Sequence, residues 1–157
     1  MSYRSVKAGD KAPDFMLYDT EGNSVTLDEL LLDGKLLLLF FPLAFTSTCT
    51  EELCTARDNM KYYNSLNTRV AAISVDSRYT LKEYKKANNL NFLLLSDFNR
   101  KASEEFGVLY DDFKGMKNVS KRASFVIKQN REVEFAEVLE DASSLPDFRS
   151  VNKALNK

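Results

Sequence analysis

An unbroken apolar run, Leu36-Leu-Leu-Leu-Phe-Phe41, stands between Asp33-Gly34 and Pro42. A strand with one wet face would alternate apolar and polar residues, so a continuous short run bounded by turn residues predicts a strand buried on both faces. It is far too short to span a bilayer, which takes roughly 20 apolar residues in a helix. A strand in the middle of a sheet needs cover above and below, and that requirement predicts an α/β chain with helices packed on both sheet faces.

The flanking segments supply those layers. Phe15 onward reads as a short strand running into a turn at Gly22-Asn23, both able to take positive φ. Val25 restarts the chain toward a short helix at Leu27 to Leu32. After the apolar strand, Cys49, Leu53, Ala56, Met60 and Tyr63 fall at helical spacing, and Thr48 with Glu51 makes a capping-box signature. One long helix is therefore expected, with Cys49 in its first turn. Arg69 to Val75 is the next strand, which implies a right-handed parallel crossover. Helical patterns at Tyr79 to Ala87 and Lys101 to Phe106 flank an apolar run, Phe92 to Leu95. Beyond an irregular stretch, Tyr110 to Lys121, the segments Ala123 to Ile127 and Val133 to Val138 read as a hairpin across Gln129-Asn130-Arg131. A last helix is expected from about Pro146, proline being tolerated in a first helical turn. No linker or repeat interrupts residues 1–157, so a single domain with a central mixed β-sheet is expected.

Composition narrows the chemistry. The chain has no histidine, which removes Ser-His-Asp and Cys-His activation and most zinc sites. Two cysteines are too few for a disulfide scaffold and point to reactive thiols in a reducing compartment. A metal held by two thiolates would lack further ligands, so neither a metal nor a cofactor is expected. The 22 basic and 23 acidic residues nearly cancel and intermix, giving no one-signed surface for nucleic acid or anionic lipid. Met1 to Phe15 is charged throughout and lacks the apolar core of a signal peptide. The expectation is a cytoplasmic protein without a membrane partner.

The segment from Phe41 to Cys54 carries the chemistry. It leaves the buried strand, turns at Pro42 and delivers Cys49 into a helix start, where unpaired N–H groups and the helix dipole favour thiolate over thiol. Thr46 lies three residues earlier, within reach of the sulfur or of a bound oxygen. Cys49 alone could be an inert core thiol, and Cys54 could merely flank the core beside Leu53.

Pro42, Thr46 and Cys49, spaced Pro-x-x-x-Thr-x-x-Cys, resemble the active-site motif of the peroxiredoxins. Gly9-Asp-Lys-Ala-Pro-Asp-Phe15 is similar to that family's opening segment, and Arg122-Ala-Ser-Phe-Val-Ile127 to its late strand led by an arginine. The resemblance implies a thioredoxin-like fold and a thiol-dependent peroxidase that reduces hydrogen peroxide and organic hydroperoxides through a sulfenic acid at Cys49. Thr46 and Arg122 would polarise the site, and Glu52 would help hold the arginine. A cysteine five residues after the first is similar to the bacterioferritin-comigratory or Q-type subgroup, which implies Cys54 as the resolving thiol. The implied partners are a hydroperoxide and a thioredoxin-like or glutaredoxin-like reductant, with the chain as monomer or homodimer. Lys128 and the glycine-free turn after it depart from the family pattern outside these residues. Read from the residues alone, Arg122 could equally be a surface arginine beside Lys121, and Glu52 an acid placed to suit the helix dipole.

Two rivals fit the same elements. A thiol-disulfide oxidoreductase would carry Cys-x-x-Cys and a proline before the late strand, whereas here the spacing is Cys-x-x-x-x-Cys and Arg122 precedes Ala123. A redox-sensing or holdase-like protein would need the same activated thiol. If Cys49 and Cys54 share one helix, their Cα atoms stand roughly 8–9 Å apart on divergent faces, beyond the ~7 Å limit for a disulfide. Pairing them then requires the helix to unwind.

Overall fold

The structure, a computed structural model, describes residues 4–157; the first three residues of the charged Met1 to Phe15 segment lie outside the described residues. A seven-stranded mixed sheet runs in the order β2-β1-β5-β4-β3-β6-β7. Its strands are β1 Met16–Asp19, β2 Ser24–Thr26, β3 Leu36–Phe40, β4 Arg69–Ser74, β5 Leu93–Ser96, β6 Arg122–Ile127 and β7 Val133–Leu139. The helices are α1 Leu27–Leu30, α2 Ser47–Asp58, α3 Met60–Ser65, α4 Arg78–Ala87, α5 Lys101–Glu105 and α6 Phe148–Leu155.

The apolar run takes the inner position expected of it. β3 pairs parallel with β4 and antiparallel with β6, and every one of its residues is fully buried. Because side chains alternate across a strand, Leu36, Leu38 and Phe40 enter one core with Leu27, Leu30, Ala102, Phe106 and Phe125. Leu37, Leu39 and Phe41 enter the other with Leu53, Ala56, Tyr63, Leu81, Tyr84 and Val151. Helices α1 and α5 thus cover one face, and α2, α3, α4 and α6 the other. The β3-to-β4 connection through α2 and α3 is the parallel crossover read from the sequence, and β6 and β7 form the expected antiparallel hairpin.

Several local expectations are corrected. The first helix of the crossover begins at Ser47, not Cys49, with Thr46 as N-cap in an extended conformation. The Thr48–Glu51 capping box does not form, because Phe45 at φ 65° turns the chain two residues before Ser47 and leaves Thr48 inside the helix. That helix is also not continuous through Tyr63. It breaks at Asn59, whose side chain donates to the Thr55 carbonyl at 2.9 Å and competes with the backbone ladder. Of Gly22-Asn23 only Gly22 takes positive φ, at 84°. Pro146 precedes α6 and is not in its first turn; Asp147 caps that helix by accepting from the Ser150 amide at 3.1 Å.

Just past α5, Gly107 at φ 71° lets the N-terminal segment cross close by. An added Cβ there would stand 2.2 Å from the Arg4 carbonyl oxygen, where Val6 N–H donates to Phe106 O at 3.0 Å.

Candidate active site

The site forms where the inner strands end. β3 runs out at Phe40, which lies opposite Ala123 of β6, so the turn after β3 and the first residue of β6 are neighbours although far apart in the chain. Pro42 is buried in that turn, and Thr46 donates its hydroxyl to the Leu43 carbonyl at 2.9 Å, closing it. The Thr46 hydroxyl is thus engaged with the backbone, and of the two partners within its reach, the sulfur or a bound oxygen, the bond to sulfur is not made.

Cys49 sits in the first turn of α2 and is 1% exposed. The Arg122 guanidinium reaches it from β6, with Nη1 and Nη2 each 3.4 Å from Sγ. Arg122 is itself buried, which overturns its reading as a surface residue. Three further bonds fix its plane: Nη1 to Glu52 Oε1 at 2.6 Å, and Nε and Nη2 to the Ala142 carbonyl at 3.2 and 2.7 Å. Glu52 lies three residues after Cys49, hence on the same helix face, where it accepts from the same guanidinium.

A permanent cation and a helix start thus face the one sulfur. The opposing cost falls on Glu52. Burial pushes its carboxyl up from 4.5 to about 7, even against the attraction and hydrogen bond of Arg122, and Oε2 has no partner. For Arg122 burial works to lower the affinity for its proton, while Glu52 and Cys49 together outweigh it, so the guanidinium stays charged.

Above the sulfur opens a cavity of about 510 Å³, lined on one side by Pro42, Thr46, Cys49 and Arg122 and on the other by Phe113 and Met116. Phe113 stacks on Tyr110 with ring centroids 5.1 Å apart. These residues lie in the stretch read from the sequence only as irregular, and its one available signal was an aromatic pair at Tyr110 and Phe113. Ala142 gave no signal at all, since its contribution is a backbone carbonyl.

Cys54 also lies in α2, half-buried, with Sγ turned toward Asn88 Oδ1 at 4.0 Å. Both thiols are free. The sequence-predicted residues Pro42, Thr46, Cys49, Glu52 and Arg122 are thus brought together, and Cys54 is held one and a half turns away on a different face. Among the described residues no three His, Cys, Asp or Glu side chains gather to hold a metal ion, and no helix is long and apolar enough to cross a membrane.

Residues 8–136 match the AhpC/TSA family. Peroxiredoxin Bcp of Escherichia coli (strain K12) is 39% identical over 103 residues, covering 66% of this chain and 65% of the relative; the chain therefore spans less than two thirds of that relative's length. A putative peroxiredoxin bcp of Coxiella burnetii is 37% identical over 107 residues, covering 68% of this chain and 70% of the relative. Among solved structures, Peroxidoxin BcpB from Mycobacterium tuberculosis superposes with a TM-score of 0.84 at 31% identity, covering 96% of this chain and 95% of that one.

Proposed function

Because the chain belongs to the AhpC/TSA family, we propose that it is a thiol-dependent peroxidase in which Cys49 attacks the hydroperoxide and Cys54 resolves the product. The Cys49 thiolate forms an S–O bond as the O–O bond breaks, and the departing oxygen takes a proton from solvent, giving the sulfenic acid and water or an alcohol. Arg122 holds the attacking sulfur as an anion and faces the oxygen on which negative charge develops. Glu52 and the Ala142 carbonyl keep the guanidinium in plane. Thr46 and Pro42 shape the mouth above the sulfur, and release of the Thr46 hydroxyl from Leu43 would free a donor for the bound peroxide.

Cys54 then attacks the sulfenic sulfur, forming an intramolecular disulfide and expelling water. A thioredoxin-like or glutaredoxin-like dithiol reduces that disulfide and is itself oxidised. Both steps suit the reducing cytoplasm, the compartment in which we place the protein. The observation that carries the reading is the pair of 3.4 Å contacts from Arg122 to the buried sulfur of Cys49. A core cysteine acting only as a small hydrophobe has no use for a fixed cation.

Peroxide consumption with a thioredoxin system, followed by mass spectrometry after one equivalent of peroxide, tests it. Cys49→Ser is expected to remove turnover. Cys54→Ser is expected to consume one equivalent and stop at a sulfenic acid unless a small thiol is supplied. Turnover of Cys49→Ser above about a tenth of the parent, a loss of only ~1.4 kcal/mol of barrier lowering, refutes the assignment.

A further inference from the structure

Helix α4 is tied to α2 by polar contacts outside the catalytic cluster. Tyr84 donates its hydroxyl to Thr50 Oγ1 at 3.0 Å. The Cys54 thiol lies 4.0 Å from Asn88 Oδ1, and Arg57 Nη1 donates to the Asn88 carbonyl at 2.7 Å. Thr50, Cys54 and Arg57 are spaced four and three residues apart, so they form one stripe along α2. That stripe lies on the last turn of α4 and its C-cap.

The fastening is built rather than incidental. Tyr84 is fully buried, with Phe41 at 6.1 Å and Phe45 at 5.0 Å between ring centroids, and the Asn88 side chain is anchored by donating to the Tyr84 carbonyl at 3.1 Å. Burial raises the Tyr84 phenol far above its ordinary value, so the hydroxyl keeps its proton and remains a donor.

We propose that Tyr84 and Asn88 are positioning residues for the second half of the reaction: they latch α2 closed and thereby set how long the Cys49 sulfenic acid waits for Cys54. The proposal rests on the reading of Cys54 as the resolver. In the closed helix Cys54 faces Asn88, and bringing it to Cys49 requires the Thr50 to Arg57 stretch to unwind. Each latch contact must break first, so the closed-to-open equilibrium scales the rate of disulfide formation. While the helix stays closed, the sulfenate meets a competing reaction. A second hydroperoxide can transfer an oxygen to it, breaking the O–O bond and leaving a sulfinate and an alcohol or water. The latch therefore sets the partition between recycling and irreversible over-oxidation.

The test is Tyr84→Phe, which keeps the ring and removes one hydrogen bond, alongside Thr50→Val and the double variant. Disulfide formation is followed after one equivalent of peroxide by rapid alkylation and mass spectrometry. Each single variant is expected to form the disulfide about two- to tenfold faster, the range that one hydrogen bond contributes. The double variant should be no faster than either single one, because both remove the same contact. Attack of peroxide on Cys49 should keep its rate, and the sulfinate fraction at excess peroxide should fall. General loosening of the fold would instead give additive effects and move the first step too, and that result overturns the proposal. An unchanged rate of disulfide formation in Tyr84→Phe also overturns it, with the resolver reading intact. If the parent protein forms no disulfide between Cys49 and Cys54, both fail together.

Discussion

Replacing Glu52 with Gln probes the most costly group in the site. The carboxyl is fully buried, bonded through Oε1 to Arg122 at 2.6 Å and orphaned at Oε2. Burial outweighs the ion pair and lifts it from 4.5 to about 7. A carboxyl whose folded value lies above its unfolded one keeps a proton that the unfolded chain has already released, so stability falls as pH rises through that window. This is the reverse of an ordinary ion-paired carboxylate, which loses stability as pH falls. The gap from 4.5 to about 7 corresponds to about 3 kcal/mol, at roughly 1.4 kcal/mol per pH unit. Gln has nearly the same shape, can still accept from Arg122 and does not titrate. The assay is urea unfolding at about pH 4.5 and pH 8, in a Cys49→Ser background so that the thiol itself does not contribute. Unfolding free energy in the Glu52 protein is expected to drop by about 3 kcal/mol more than in the Gln variant over that range. Equal drops would show that Glu52 is ionised throughout and that Arg122 wins over burial.

Arg122→Ala should leave the buried Glu52 carboxyl without the donor that now meets Oε1 and cost about 1–3 kcal/mol of stability; denaturant titration checks this, and an unchanged midpoint would contradict it. The same substitution should slow attack of Cys49 on hydroperoxide by at least about tenfold, the effect of ~1.4 kcal/mol less stabilisation of the charge that develops on the departing oxygen, read as peroxide consumed in a single turnover. On oxidation the amides from Thr50 to Arg57 should lose hydrogen-exchange protection while those of Leu36 to Phe40 keep theirs; equal protection in both states, with the disulfide present, would contradict helix opening. Gly107→Ala should destabilise the fold by more than about 1–2 kcal/mol, since the left-handed backbone alone accounts for that much before the clash with Arg4. Thermal melting reads the change, and an unaltered midpoint would refute it.

The inner strand and the candidate nucleophile were legible because each rests on a local pattern. Leu36 to Phe41 admits little but a strand covered on both faces, and Pro42, Thr46 and Cys49 lie within a single strand-turn-helix unit. The N-terminus of α2 was misread because its position depends on the backbone of Phe45, and nothing about a phenylalanine announces a positive φ. The break at Asn59 was hidden because Met60 and Tyr63 keep the apolar stripe in phase across it. Arg122 was ambiguous for a different reason. It meets Cys49 from 73 residues away, and only the pairing of β3 with β6 decides whether its side chain points inward. Ala142 and the aromatic wall at Phe113 belong to irregular chain, where neither period nor spacing carries information.

The same Phe45 bears on how readily the site opens. An aromatic residue held in the left-handed region costs about 1–3 kcal/mol, and here it stands immediately before the cap of the helix that carries both thiols. Its ring is exposed on one side and meets Tyr84 edge-on at 5.0 Å on the other, the contact that opposes release of the torsion. The closed helix is thus preloaded. Were α2 to unwind as the proposed resolution requires, relaxation of the backbone at residue 45 would return that energy, offsetting one or two of the hydrogen bonds given up. If Cys54 resolves Cys49 as proposed, the closed and open forms lie nearer in free energy than their contacts alone would place them, and the cycle begins from a spring already compressed.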